Sequence, residues 1–153
     1  MFVALLSPID QWLLLKTNGL VSIASFGTPT LLLTTLGRKT GQPRATPLMY
    51  LSDSQQPMLL YVIGSSGGRP AMPAWVLNLR ANPEVLVTRN GLIQDYQARA
   101  LYGDQHRAIW QRFIRFNPGF ARYEGRLTRS IPIIELTPRA TQAQGFSAVQ
   151  RLG

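Results

Sequence analysis

Thr30-Leu31-Leu32-Leu33-Thr34-Thr35-Leu36 runs into Gly37-Arg38-Lys39-Thr40-Gly41-Gln42-Pro43 and then into Arg44-Ala45-Thr46-Pro47-Leu48-Met49-Tyr50-Leu51. The first segment is a short leucine–threonine run bounded by Gly27 and Pro29 on one side and a glycine turn on the other, which reads as a buried strand. Arg44–Leu51 is extended again after the basic turn, Ser52–Pro57 is a polar turn, and Met58–Ile63 is a third extended run. Three strands in succession with no helix between them predict an antiparallel meander. They argue against a doubly wound parallel sheet, which needs a crossover helix between its strands.

The rest of the chain extends this pattern. Gly64–Pro70 is a glycine–serine loop. Pro73–Ala81 is predicted helical: Pro73 suits a first turn, Trp75 and Leu79 share a face, and Asn82-Pro83 stops it. Glu84–Thr88 and Leu92–Tyr102 flank Asn90-Gly91, the strongest hairpin signal in the chain. Asp104 is expected to cap a helix with an apolar stripe of Ile109, Trp110, Phe113 and Ile114 and a wet face of Arg107, Gln111, Arg112 and Arg115. Asn117-Pro118-Gly119 breaks that helix, a short one follows through Phe120 and Tyr123, and Ile131–Leu136 is the last strand, ended by Pro138. Upstream, Ser7-Pro8 opens a short helix carrying Ile9, Trp12, Leu13 and Lys16, ended by Asn18-Gly19. The expected fold is α+β and mainly β, a small antiparallel barrel decorated with helices. Residues 1–29 are read as an N-terminal helix and linker, 30–138 as the barrel domain, and 139–153 as a tail.

Composition narrows the chemistry. The chain has 153 residues, 45% of them hydrophobic, which is enough for one proper core. It has no cysteine, so disulfides, thiolate metal sites and a cysteine nucleophile are excluded. One histidine, His106, and seven carboxylates leave little material for a metal site, and none is expected. His106 is read as a surface residue without a ligand role. No apolar run is long enough to span a bilayer, and Met1–Leu6 lacks the charge of a secretory signal, so a cytoplasmic setting is expected. Sixteen basic residues against seven acidic ones give a net charge of +9, and only Lys16 and Lys39 among the sixteen are lysine. Arginine forks suit phosphate and carboxylate, so an anionic partner is expected.

Three segments can carry chemistry. In Gly37–Arg44, two glycines free the backbone to turn while Arg38, Lys39, Arg44 and the Thr40 hydroxyl supply the donors of an anion cradle. It lacks the glycine–lysine step of a P-loop, and it reads equally as a solvated hairpin turn. Gly64-Ser65-Ser66-Gly67-Gly68-Arg69 follows a strand and precedes a helix, so its backbone can be approached by a flat ligand or a phosphate; the plainer reading is a flexible loop. Trp75, Phe113 and Phe116 are expected in the core. Phe120 and Tyr123, after the proline–glycine break, are placed to rim a pocket.

Taken together, Leu32–Gly41, Pro43–Leu48, Ser65–Gly68, Pro73-Ala74-Trp75, Asn78–Pro83 and Arg126–Pro132 resemble one family, the deazaflavin-dependent nitroreductases, also called deazaflavin-dependent quinone reductases. The resemblance runs from about residue 8 to 137. It implies a split β-barrel related to FMN-binding oxidoreductases, and it implies reduced coenzyme F-420 as hydride donor to a quinone, enone or nitro compound. By the same resemblance Arg38, Lys39, Thr40, Gly41 and Arg44 hold the coenzyme's phosphate and glutamate tail. Thr46, Pro47 and Leu48 line the ring's strand, and Ile63, Ser65, Ser66 and Gly67 meet the ring edge. Ala74, Trp75 and Asn78 close the other side. Ser65 and Tyr123 take the catalytic positions near the acceptor, with Tyr50 and Phe120 beside Tyr123 in contact with it.

The chain departs from the family at Ser66, where lysine is usual, at Met72, Val76 and Leu77, and at Asn117 and Phe120, which stand for two lid tyrosines. Arg69 can replace the lysine charge. These departures keep an FMN-binding barrel open as an alternative. A second alternative is a non-catalytic module that meets nucleic acid or an anionic membrane through Arg107, Arg112, Arg115, Arg122, Arg126 and Arg129. Of the two, nucleic acid is the less expected, and the same arginines can hold a quinone reductase near a bilayer. Oligomer formation is left open.

Overall fold

The computed structural model describes residues 29–139. The helix expected at Ser7–Asn18 and the tail after residue 139 lie outside these. Six strands close into a barrel in the order β1-β2-β3-β6-β5-β4, with every neighbouring pair antiparallel. They are β1 (Thr30–Leu36), β2 (Pro43–Ser52), β3 (Leu60–Ile63), β4 (Glu84–Arg89), β5 (Leu92–Ala100) and β6 (Ile133–Pro138). Three helices join them: α1 (Ala74–Ala81), α2 (Gly103–Phe116) and α3 (Phe120–Arg126). The expected meander is present as β1-β2-β3, and the Asn90-Gly91 hairpin forms with both turn residues at positive φ, 52° and 77°.

Strand alternation builds the core. Leu31 and Leu33 of β1, Val85 and Val87 of β4, Tyr96 and Ala98 of β5, and Ile134 and Leu136 of β6 point into the barrel. Trp75, Val76 and Leu79 join that interior from α1. A second cluster forms on the outside of β3 and β6, where Tyr61, Ile63 and Ile133 are covered by Trp110 and Phe113 of α2 and Phe120 of α3. α1 thus belongs to the barrel interior and α2–α3 to its flank. No helix among the described residues is long and apolar enough to cross a membrane.

Several expectations are corrected. Phe116 is 46% exposed rather than in the core. The break at Asn117–Gly119 turns the chain back so that Phe120 packs edge-on against Phe113, at 5.9 Å between centroids, and takes the place Phe116 was expected to fill. Asp104 does not cap α2. Tyr102 occupies the cap position without a side-chain bond, and the chain enters through Gly103 at φ 58°. Met58 and Leu59 fall outside β3, because Leu59 N–H donates to the Gln56 carbonyl in a turn. β5 ends at Ala100 rather than Tyr102, and β6 begins only after Pro132, which has no N–H to give a ladder.

Three basic side chains are not on the free surface either. His106 Nε2 donates to the Ile131 carbonyl at 2.8 Å, with the ring stacked on Trp110. Arg112 donates to the Ser52 carbonyl at 2.7 Å and lies over the Tyr61 ring. Arg129 is turned inward against the 64–69 loop. Beside Arg112, Asp53 accepts from the Gln55 and Gln56 N–H groups and from the Tyr61 hydroxyl. Those bonds hold its carboxyl below the ordinary range, while burial and the Asp53 charge push Tyr61 up to about 12.

Candidate functional site

The site begins where the barrel splits. β2 pairs with β1 from Pro43 to Met49 but with β3 only from Tyr50 to Ser52. The stretch Ala45–Met49 therefore has an open edge toward the end of β3. The Tyr50 N–H donates to the Pro29 carbonyl on the β1 side. Alternation then turns the peptide groups of Met49 and Pro47 the other way, toward the opening. Proline is tolerated there because an edge position asks for no N–H.

A groove of about 480 Å³ fills this split. One wall is Thr46, Pro47, Leu48 and Met49 of β2. The opposite wall is Ile63 with Ser65, Ser66 and Gly67 of the loop after β3. Pro73, Ala74 and Trp75 at the start of α1 form the floor, and Phe120 of α3 closes one side. The loop wall has an uncommon backbone: Ser66, Gly67 and Gly68 stand in succession at φ 50°, 63° and 79°. Glycine takes such angles freely, whereas serine does so only when held. Ser65 is 8% exposed. Behind the loop the Tyr123 ring lies so close that a Cβ on Gly68 would come within 2.7 Å of it.

A second cleft of about 420 Å³ adjoins the first, since Thr46, Ala74 and Trp75 line both. Its far side is the basic turn, with Arg38, Lys39, Thr40 and Arg44. The turn is tight because the Gly37 N–H donates to the Gln42 carbonyl at 2.8 Å and the Gly41 N–H to the Gly37 carbonyl at 2.7 Å, with Gly41 at φ 69°. Asn78 of α1, 3% exposed, ties the turn to the barrel. Its Oδ1 accepts from the Arg38 N–H and from Arg38 Nη1, at 3.1 and 3.2 Å, and its Nδ2 donates to Thr35 Oγ1 at 3.2 Å.

Charge is left over in this cleft. Among the described residues the ion pairs are Arg99–Glu135 and Arg139–Glu84, both on other parts of the barrel. Arg38, Lys39 and Arg44 therefore share one cleft with no carboxylate partner, which is the condition for an anion site. The whole is a trough, largely apolar at one end and cationic at the other. It suits a flat ring joined to a phosphate-bearing tail. No group of metal ligands occurs among the described residues.

The geometry brings most of the expected residues together. Thr46, Pro47, Leu48, Ile63, Ser65, Ser66, Gly67, Ala74, Trp75 and Phe120 surround the groove, and Arg38, Lys39, Thr40, Arg44 and Asn78 surround the cleft. Gly41 shapes the turn without lining either. Tyr123 stands behind Gly68 and against Phe120, outside the residues that line the groove. Tyr50 lies apart, under the Arg89 guanidinium near Met58. Met49 and Pro73 were not foreseen; each is the chain neighbour of a residue that was, Leu48 and Ala74.

A family model described as F420H(2)-dependent quinone reductase matches residues 9–138. The F420H(2)-dependent quinone reductase Rv1261c of Mycobacterium tuberculosis is 34% identical over 127 residues, covering 80% of this chain and 83% of its own length. The solved structure of an F420-H2 dependent reductase, FDR-A, is 32% identical with a TM-score of 0.62, covering 71% of this chain and 93% of that one. A structure of the pyridoxinephosphate oxidase family from Clostridium acetobutylicum is 14% identical with a TM-score of 0.51 over 84% of this chain and 85% of that one, which is a likeness of split-barrel fold alone.

Proposed function

Because the chain belongs to the F420H(2)-dependent quinone reductase family, and is an oxidoreductase on that ground, we propose that its trough holds reduced coenzyme F-420 and that a quinone is the acceptor. The observation that carries this reading is the cluster of Arg38, Lys39 and Arg44 without carboxylate partners, opening directly onto a groove wide enough for a ring. The tail of F-420 carries a phosphate and glutamate carboxylates. FMN offers one phosphate, for which three cations are more than enough, so the deazaflavin is the better match.

Bound there, the coenzyme supplies a hydride, which brings the quinone two electrons and one proton. The protein's part is to orient and to stabilise charge. Trp75 and Ala74 back the ring, while Lys39, Arg44 and the Thr40 hydroxyl fix the tail. The Ser65 hydroxyl on the groove wall donates to the acceptor oxygen as negative charge grows on it. The second proton of the hydroquinone comes from water at the open mouth. Tyr123 backs the loop at Gly68 and shapes the wall rather than touching the acceptor. Enones and nitro compounds, whose oxygens also gain negative charge, are proposed as further acceptors.

Oxidation of reduced F-420 by a soluble naphthoquinone, followed as the return of deazaflavin absorbance, tests the reading. Turnover is expected, with kcat reduced about tenfold to a hundredfold in Ser65→Ala. Absence of quinone-dependent oxidation by the wild-type protein would sink it.

A finer reading concerns how an apolar quinone arrives. Arg107, Arg115, Arg122 and Arg126 are exposed on α2 and α3, next to the exposed Phe116 and the groove-lining Phe120. We infer that this face meets an anionic bilayer from which the quinone is drawn. Co-sedimentation with phosphatidylglycerol-containing vesicles is expected at low salt and should be lost at roughly 0.5 M salt, where charges are screened within a few ångströms. No sedimentation at low salt contradicts it.

A further inference from the structure

The wall of the groove between Gly64 and Arg69 has little to hold its shape from within. Its internal backbone bonds are two, from the Gly68 N–H to the Ser65 carbonyl and from the Arg69 N–H to the Ser66 carbonyl, and no residue of Ser66–Gly68 is buried. Three successive left-handed residues, the first a serine, do not persist unless the surroundings over-determine them.

Arg129 supplies that determination. Its Nη1 donates to the Gly64 carbonyl at 3.0 Å and its Nη2 to the Ser65 carbonyl at 3.0 Å. Nη2 and Nε reach the Arg69 carbonyl at 3.0 and 3.2 Å, and Nη1 also reaches the Ser130 carbonyl at 3.1 Å. One planar guanidinium thus clasps both ends of the loop, which an ammonium with its point-like charge cannot do. No carboxylate is among its partners, so its charge is not cancelled and acts on the peptide dipoles it touches.

The direction of those dipoles matters. In a trans peptide the N–H points opposite to the C=O. With the Gly64 and Ser65 carbonyls turned to Arg129, the N–H groups of Ser65 and Ser66 point away from it. Ser65 and Ser66 line the groove, whereas Arg129 does not and lines a different cleft, between α2 and α3. Neither N–H has a backbone acceptor among the described residues. Successive free N–H groups at such a bend form a concave donor site for negative charge.

We propose that Arg129 is a positioning residue for the reaction: it locks the Gly64–Arg69 loop and polarises its peptides so that the Ser65 and Ser66 N–H groups meet the negative charge of the reacting pair in the groove. The role in turnover rests on the reading of the groove as the deazaflavin site, whereas the locking of the loop does not.

Two measurements separate these. Amide hydrogen exchange of the unliganded protein should quicken about tenfold or more at Gly68 and Arg69, whose N–H groups are bonded within the loop, in Arg129→Lys while barrel amides stay protected. Unchanged exchange in that loop overturns the proposal whatever the groove binds. In the second, Arg129→Ala and Arg129→Lys are titrated with F-420 and turned over with a soluble naphthoquinone. kcat should fall about tenfold or more, with the coenzyme Kd within about threefold of wild type. Added guanidinium chloride at millimolar levels should restore part of the Arg129→Ala rate, and sodium chloride should not. Parallel loss of binding, thermal stability and rate without guanidinium rescue marks a structural strut only and overturns the catalytic part. Wild-type protein that ignores F-420 defeats the reading of the groove, and the exchange experiment still decides the loop.

Discussion

Replacing Lys39 and Arg44 together by alanine should weaken F-420 binding about a hundredfold and leave the thermal midpoint within a few degrees of wild type. Each charge-assisted hydrogen bond to a phosphate or carboxylate contributes about 1.5–3 kcal/mol, and both side chains are exposed, which places them at the low end. Two such losses come to about 3 kcal/mol, or roughly a hundredfold in Kd. Neither side chain has a hydrogen bond or ion pair within the described protein, and the backbone pairing of Arg44 with β1 survives the substitution, so the fold loses little with them. Arg38 is a poorer choice for this experiment, because its Nη1 also bonds the buried Asn78 oxygen, so its truncation removes one of the two bonds that tie the turn to α1. Fluorescence titration of the coenzyme reads the effect, and a Kd within threefold of wild type would show that the basic cleft is not where the tail sits.

Trp75→Ala should lower the thermal midpoint by about 10 °C and weaken coenzyme binding as well. Trp75 is 6% exposed, belongs to the barrel core and lines both clefts. Truncating a buried tryptophan costs about 3–5 kcal/mol, and a domain of this size loses about 2–4 °C for each kcal/mol. Trp75→Phe keeps most of the volume and should lose less than half as much. Differential scanning calorimetry with and without coenzyme separates the two consequences. A midpoint shift below about 3 °C would mean that α1 does not depend on this side chain to join the core.

The residues that declared themselves in the sequence are those whose structure is local. β1 lies between a proline and a glycine, the Asn90-Gly91 turn carries its own left-handed preference, and α1 is framed by Pro73 and Asn82-Pro83. The basic turn was legible for the same reason, since its glycines and its charges are neighbours in the chain. What stayed hidden depends on distant partners. The split between β2 and β3 is a matter of register, set by where β3 stops pairing, and within Ala45–Met49 only Pro47, which has no N–H to give a ladder, hints at an open edge. Phe116 and Phe120 present the same side chain to a stripe analysis, and only the turn between them decides which is covered.

The arginines teach the same lesson from charge. Arg112 and Arg129 were counted with the surface, yet both are spent on backbone carbonyls about sixty residues away in sequence. Burial holds the Arg129 guanidinium below its ordinary pKa, as expected for a cation enclosed by carbonyls without a carboxylate. Lys39 and Arg44, by contrast, remain unengaged and keep their charge for a ligand. The net charge of +9 is therefore not one surface property but a division of labour between clasps, an anion cleft and an exposed helix face.

Titrating the purified protein with F-420 and, separately, with FMN, each followed by ring fluorescence, tests the central claim most directly. Micromolar binding of the deazaflavin, with FMN at least about tenfold weaker, is the expected result, because the cleft offers more cations than a single phosphate engages. FMN binding as tightly as F-420, or neither cofactor binding at about 100 µM, where even a weak site would fill, contradicts it.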